Sequence, residues 1–200
     1  MHPALASLGA LALGLGALGL ATDGFAALTT EGARRLAALR TAPEMPRVAI
    51  ETMAGSIEPL PAASRATVVE FIYTTCPDIC QAAGDEMARL RDRLAKGPLS
   101  GRVRLVSVSF DPARDDPARM ADYGRWHEAD GAVWTVARPA DARDLPNLLD
   151  AYGVTVIPDR IGGFTHNTAL HVVTPEGRLA AILDMDDLAG AEAALAGVLQ

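Results

Sequence analysis

Two nearly continuous apolar runs, ATVVEFIY at 66–73 and VRLVSVSF at 103–110, flank a segment whose apolar residues recur every three or four positions. The runs have the β-branched and aromatic content of buried strands, in which two covered faces remove the apolar/polar alternation. Between them Ile79, Ala83, Met87, Leu90 and Leu94 share one face of a helix that starts at Pro77 and stops at Gly97-Pro98. Strand, helix and strand in that order predict a right-handed crossover between parallel strands. A second crossover follows, with a helix from about Pro117 to Glu128 and a strand at VWTVA, 133–137. DLPNLLDAYG then predicts a short helix opened by Pro146 and closed by Gly153. VTVIPDRIGGFTHN, 154–167, reads as a loop. TALHVVT and RLAAILD read as strands joined by a tight turn at Pro175-Glu176-Gly177, and residues 186–199 close the chain as an Ala/Leu helix.

Upstream, VAIETMAG predicts a first strand ending at Gly55, and PLPAAS an irregular connection. Residues 26–40 have helical apolar spacing, and the two prolines of TAPEMP make a linker. Two parallel crossovers, a hairpin and a last helix form the thioredoxin-like order of elements. The expected fold is therefore α/β, a three-layer α/β/α arrangement around a central mixed sheet. The chain divides into an apolar segment at 1–21, a helix and linker at 22–45, and the folded domain at 46–200.

The first 21 residues carry no charged side chain, and the apolar stretch from Ala4 to Ala21 is export-type sequence. It suits a signal peptide cleaved after Gly19-Leu20-Ala21 or a membrane anchor, since its length lies between the two requirements. A buried Ala/Leu/Gly helix is the alternative, disfavoured by four glycines in 18 residues. The basic residues lie after the segment, at Arg34, Arg35 and Arg40. Charge excludes one class of partner: a net charge of −7 repels phosphate backbones, so no nucleic acid is expected.

Only two cysteines are present, Cys76 and Cys80, in TTCPDIC at the end of the first apolar run. They are too few for a disulfide framework and lack the spacing of a structural zinc site. With Pro77 in the first helical position, Cys76 becomes the N-cap, where the helix dipole favours a thiolate. Residues four apart lie about 6 Å apart on one helix face, within reach of a disulfide. The two sulfurs can bond to each other or chelate one soft ion such as Cu(I) or zinc. Of the histidines, His2 belongs to the export segment, and His127 reads as a solvated or helix-terminal residue. His171 reads as a satisfied strand imidazole. His166, in GGFTHN, stands where a thioredoxin-like chain returns beside the cysteine helix, and suits a ligand or acid/base role as well as a surface one.

VVEFIYTTCPDIC, VRLVSVSFDPARDDP, LLDAYGV and HNTALHVVTPEGRL together resemble the Sco/SenC family of copper-binding, thioredoxin-like assembly factors of cytochrome c oxidase, over about residues 46–185. The resemblance implies copper, Cu(I) or Cu(II), held by Cys76, Cys80 and His166 on the periplasmic side of the cytoplasmic membrane. It implies delivery to the CuA-bearing subunit of the oxidase, with other copper chaperones as partners. It also implies a second use of Cys76 and Cys80 as a thiol-disulfide reductant or redox sensor. Asp78 and Asp111 match acidic family positions near the site and are expected to orient ligands or aid recognition; Asp78 could equally serve only the helix dipole. Gln81 replaces a common proline, and Thr165 replaces a common acidic partner of the histidine. A disulfide with a purely structural role is the remaining reading of the cysteines, weakened by the short loop it would close.

Overall fold

The structure, a computed structural model, describes residues 3–25, 27–76, 79–160 and 162–200; the side chains of residues 3–6, 79 and 80 are outside that description. It divides into two compact units, one running to Thr41 and one from Ala42 to Gln200. The first holds helices α1 (Pro3–Ala21) and α2 (Thr30–Thr41). The second helix starts later than its apolar spacing suggests, because Thr29 caps it: its hydroxyl accepts the Gly32 N–H at 2.9 Å. Glu31 in the first turn pairs with Arg34 and Arg35. Along α1 the leucines from Leu8 to Leu20 stay exposed, which does not match a buried helix. Among the described residues no helix is long and apolar enough to cross a membrane.

The second unit carries β1 (Val48–Thr52), β2 (Ile57–Leu60), β3 (Ala66–Ile72), α3 (Ile79–Lys96), β4 (Val103–Ser109), α4 (Pro117–Trp126) and β5 (Trp134–Pro139). There follow α5 (Leu145–Tyr152), β6 (Val156–Pro158), β7 (Phe164–His166), β8 (Leu170–Val173), β9 (Leu179–Leu183) and α6 (Leu188–Val198). Seven strands form one mixed sheet in the order β2-β1-β5-β4-β3-β8-β9. Both predicted crossovers are present, since β3 pairs parallel with β4 and β4 with β5. Every residue of β3 and β4 is buried, as their nearly continuous apolar runs suggest.

Because β3, β4 and β5 step across the sheet in one direction, right-handed connections place α3 and α4 on the same face. The helices meet where a Cβ on Gly84 would stand 2.6 Å from Nε2 of His127. His127 is thus buried, at the C-cap of α4, which corrects its solvated reading while keeping its place at a helix end. Its Nδ1 faces Asp85 at 3.2 Å, and burial holds the imidazole below its ordinary pKa against the pull of that carboxylate. Helix α5 covers the opposite face, its Tyr152 ring packing edge-on against Phe71 and His171. The fold is therefore the thioredoxin-like three-layer arrangement expected.

Three strands were not legible in the hydropathy. The stretch read as irregular, PLPAAS at 59–64, overlaps β2, which pairs antiparallel with β1 through a turn at Gly55, whose φ is +76°. It is an edge strand, a position that accepts Pro59 within the strand because one side of its backbone needs no ladder partner. The supposed loop at 154–167 contains β6 and β7, a separate two-stranded sheet. At its turn the Asp159 N–H donates to the Gly163 carbonyl at 2.9 Å, and Asp159 Oδ1 accepts the Gly163 N–H at 2.7 Å.

One buried acid lies in the middle of β3. Glu70 Oε1 accepts from the Ser107 hydroxyl, which itself accepts the Trp134 indole N–H at 2.9 Å. Its Oε2 has no hydrogen-bond partner, and burial raises the carboxyl pKa to about 7. The folded chain keeps a proton on Glu70 that the unfolded chain releases near 4.5. Stability to urea should therefore fall as pH rises from about 4.5 to about 7 and level off above, by at most about 3 kcal/mol from this group. Glu70→Gln should flatten that slope, and equal slopes in the two proteins would show that Glu70 ionises freely.

Candidate functional site

Strand β3 delivers the chain to Thr74-Thr75-Cys76 at the carboxyl end of the sheet, and a buried carboxylate fixes the exit. Asp115 Oδ2 accepts the Thr74 N–H at 2.9 Å, and Oδ1 accepts the Thr74 hydroxyl at 2.6 Å. The same Oδ2 accepts the Ser109 hydroxyl at 2.6 Å, tying the loop to the end of the neighbouring strand β4. Asp115 is itself held from outside, as Arg138 donates to the carbonyls of Pro112 and Asp115 while its guanidinium pairs with Glu51. Cys76 is buried, and its N–H donates to the Tyr73 carbonyl at 3.2 Å. Helix α3 begins at Ile79, so Cys80 lies in its first turn. Pro77, Asp78 and the Cys80 side chain are outside the described residues, and with them the expected N-cap arrangement and the role of Asp78.

His166 stands at the end of strand β7 rather than in a loop. Phe164 and His166 point to one side of that strand and Thr165 to the other, where it is exposed. The inward pair packs on Tyr73 and Phe110, the residues that immediately follow β3 and β4. The His166 ring centroid is 4.8 Å from that of Phe110 and 6.4 Å from that of Tyr73. Phe164 is 5.2 Å from Tyr73 and 5.5 Å from Phe110. Tyr73 precedes Cys76 by three residues, so this cluster brings the histidine hairpin to the same end of the sheet as the cysteine loop.

The tautomer of His166 is set locally. Nδ1 lies 3.1 Å from the Asn167 carbonyl, an acceptor, so the proton resides on Nδ1 and the ring lone pair on Nε2. Burial holds the imidazole below its ordinary pKa, opposed by the same hydrogen bond. Asn167 is braced in turn: its Nδ2 donates to the Gly153 carbonyl at 3.0 Å, and its Oδ1 accepts the Thr155 N–H at 2.7 Å. The backbone carbonyl thus supplies the partner whose loss Thr165 suggested, and the side chain at 165 faces away. A Cβ on Gly163 would lie 2.6 Å from Asp159 Oδ2, so a side chain there would have to displace that carboxylate from the turn.

Asp111, at the end of β4, is buried and ion-paired with Arg114. The guanidinium of Arg114 also reaches the Gly162 carbonyl at 2.6 Å and lies 5.2 Å from the Phe164 ring centroid. His171 has no part in this end: it is a buried core imidazole, as expected, with Nδ1 3.1 Å from the Val69 carbonyl and Nε2 3.0 Å from the Tyr152 carbonyl, and in the neutral ring one of the two donates. Among the described side chains no three of His, Cys, Asp or Glu gather closely enough to hold a metal ion, and the side chain of Cys80, an expected donor, is not among them. What is described of the site is one buried thiol-bearing loop and one neutral, oriented imidazole.

The SCO1/SenC family profile matches residues 53–199. The chain belongs to the SCO1/SenC family. A Stutzerimonas stutzeri protein named as a candidate copper-binding protein is 29% identical over 116 residues, which is 56% of this chain and 54% of that one. The chain thus spans about half the length of that curated relative. Arabidopsis thaliana ScoI, solved with copper bound, superposes with a TM-score of 0.67 at 17% identity, covering 78% of this chain and 99% of that one. BsSco, described as a Sco family cytochrome c oxidase assembly protein with a disulfide switch, superposes with a TM-score of 0.64 at 17% identity. That match covers 76% of this chain and 94% of BsSco. These structural likenesses establish the shared fold.

Sequence reading of this SCO1/SenC chain missed Tyr73, Phe110 and Phe164 as the packing for the histidine, and Asp115 as the anchor of the cysteine loop. Phe164 and His166 at i and i+2 carried a strand signal, but three residues are too few to show an alternation. Asp115 was visible as the last residue of Asp-Pro-x-x-Asp. Asp115→Ala should leave the Thr74 N–H and two hydroxyls without their acceptor and cost about 3 kcal/mol. It should also speed alkylation of Cys76 in native protein; a variant with wild-type urea midpoint and alkylation rate would remove Asp115 from this role.

Proposed function

We propose that this SCO1/SenC chain carries copper in the cell envelope, held by Cys76, Cys80 and His166, and helps assemble the CuA centre of cytochrome c oxidase. The CuA-bearing subunit is the receiving partner, and other copper chaperones supply the ion. The observation that carries this reading is the state of His166, whose Nδ1–H is held by a backbone carbonyl at 3.1 Å. Metal-ligating histidines characteristically donate their second N–H in this way, fixing the ring and raising its basicity. Burial favours the neutral form that a metal requires. Two cysteine sulfurs suit Cu(I), and an added imidazole extends the donor set towards Cu(II). The names of the relatives, one for copper binding and one for oxidase assembly, agree with it. The apolar helix α1, with exposed leucines, supports an exported protein that is anchored or processed on the periplasmic side.

Anaerobic titration of the reduced protein with Cu(I) and aerobic titration with Cu(II) test the reading. One copper per chain is expected, and His166→Ala should weaken Cu(II) binding by ~100-fold or more. Unchanged affinity and an unchanged visible spectrum in that variant would withdraw His166 from the site.

A second reading uses the same cysteines as a redox pair, with Cys76 attacking a partner disulfide and Cys80 resolving the mixed disulfide. Its support is their placement, Cys80 in the first turn of α3 and Cys76 four residues before it, together with the disulfide switch named for BsSco. A disulfide form has no thiolates for a metal, so the two uses alternate. Metal-free protein should then reduce a disulfide substrate at a rate unaffected by His166→Ala. No turnover in the wild type would exclude this use.

A further inference from the structure

We propose that Arg114 is a positioning residue that latches the His166 hairpin onto the end of β4, its ion pair with Asp111 setting where the imidazole stands. The inference gives the copper reading a mechanical part, but its physical content is the closure of the hairpin, which is measurable without metal.

Strands β6 and β7 have three residues each and share no ladder with the seven-stranded sheet. A lone two-stranded hairpin is marginal in water, so its position depends on side-chain contacts. The described contacts with Tyr73 and Phe110 are broad ring packing, and the Phe164 N–H donates a long hydrogen bond of 3.4 Å to the Tyr73 hydroxyl. Ring packing excludes water but fixes direction weakly. Arg114 adds directional contacts at the turn end of the hairpin, away from the Asn167 brace at its base. Its Nη1 donates to the Gly162 carbonyl at 2.6 Å, at the turn of the hairpin, and its guanidinium stands over the Phe164 ring at 5.2 Å. Its Nε is bound to the Asp111 carboxylate, 10% exposed, and the Asp111 N–H donates to Ser109 Oγ at 3.0 Å. Ser109 in turn bonds Asp115, the acceptor that fixes the cysteine loop. A short chain of polar contacts therefore runs from the cysteine loop through Ser109, Asp111 and Arg114 to the histidine hairpin. The planar guanidinium can serve a carboxylate, a carbonyl and an aromatic face together, whereas an ammonium cannot reach all three. This gives Asp111 a role: it holds the arginine that holds the hairpin.

The test is hydrogen exchange of the full-length, reduced, metal-free protein, compared among wild type, Arg114→Met and Arg114→Lys, followed by the Cu(II) dissociation rate of each. In Arg114→Met, amides of residues 156–167 should exchange ~10-fold faster while those of β3 and β4 keep wild-type protection. Arg114→Lys should fall between the two, and Cu(II) should dissociate ~10-fold faster from Arg114→Met than from wild type. Wild-type exchange at 156–167 in Arg114→Met would overturn the latch. So would an equal loss of protection across the seven-stranded sheet, the result of general destabilisation. If wild type takes up no copper the copper reading fails, while the exchange result still decides the latch. If copper binds through His166 and the hairpin exchanges as in wild type, only the latch fails.

Discussion

The buried Asp115 carboxylate is the constraint on which the candidate site depends. Its two oxygens take three hydrogen bonds, two from Thr74 at the exit of β3 and one from Ser109 at the end of β4. A carboxylate can be buried at low cost only when its lone pairs are so occupied. The result is a rigid edge at the carboxyl end of two parallel strands, the position where an open α/β sheet carries its ligands. Cys76 is positioned two residues beyond that edge, and the Asp111 backbone is tied to the same Ser109 hydroxyl. Loss of this one acceptor would loosen both halves of the site.

The two halves are stabilised by different physics. The cysteine loop is held by short, charge-assisted hydrogen bonds to strands that are buried throughout. The histidine hairpin rests on aromatic surface, with Tyr73 and Phe110 forming the floor under Phe164 and His166. In the proposed copper role this division would fix the cysteine donors through the sheet and leave the histidine donor to the packing of its hairpin.

Most of the fold was legible because the strongest signals were long. The two apolar runs at 66–73 and 103–110 and the helical spacing between them translate directly into β3, α3 and β4. The αL residue Gly153 ends α5, and Pro117, behind the N-cap Asp116, opens α4. The missed strands are those that local pattern cannot reveal. Edge strand β2 contains Pro59, and β6 and β7 are three residues each with no apolar face of their own until they meet Tyr73 and Phe110. The candidate donors stand out in the sequence more readily than their supports. Cys76 and Cys80 do so by spacing and His166 through the family resemblance, whereas the bond from His166 to the Asn167 carbonyl is made by backbone, which carries no sequence signal. His127 was misplaced for a related reason: only Gly84, 43 residues earlier, makes room for a buried imidazole there.

The leucines of α1 have a practical consequence. Leu8, Leu13 and Leu20 are 62%, 77% and 89% exposed, so this helix presents to solvent an apolar surface that water does not favour. A chain that keeps this segment should associate with itself or with detergent in a concentration-dependent manner. Thermodynamic comparisons between variants are then meaningful only at matched protein and amphiphile concentrations.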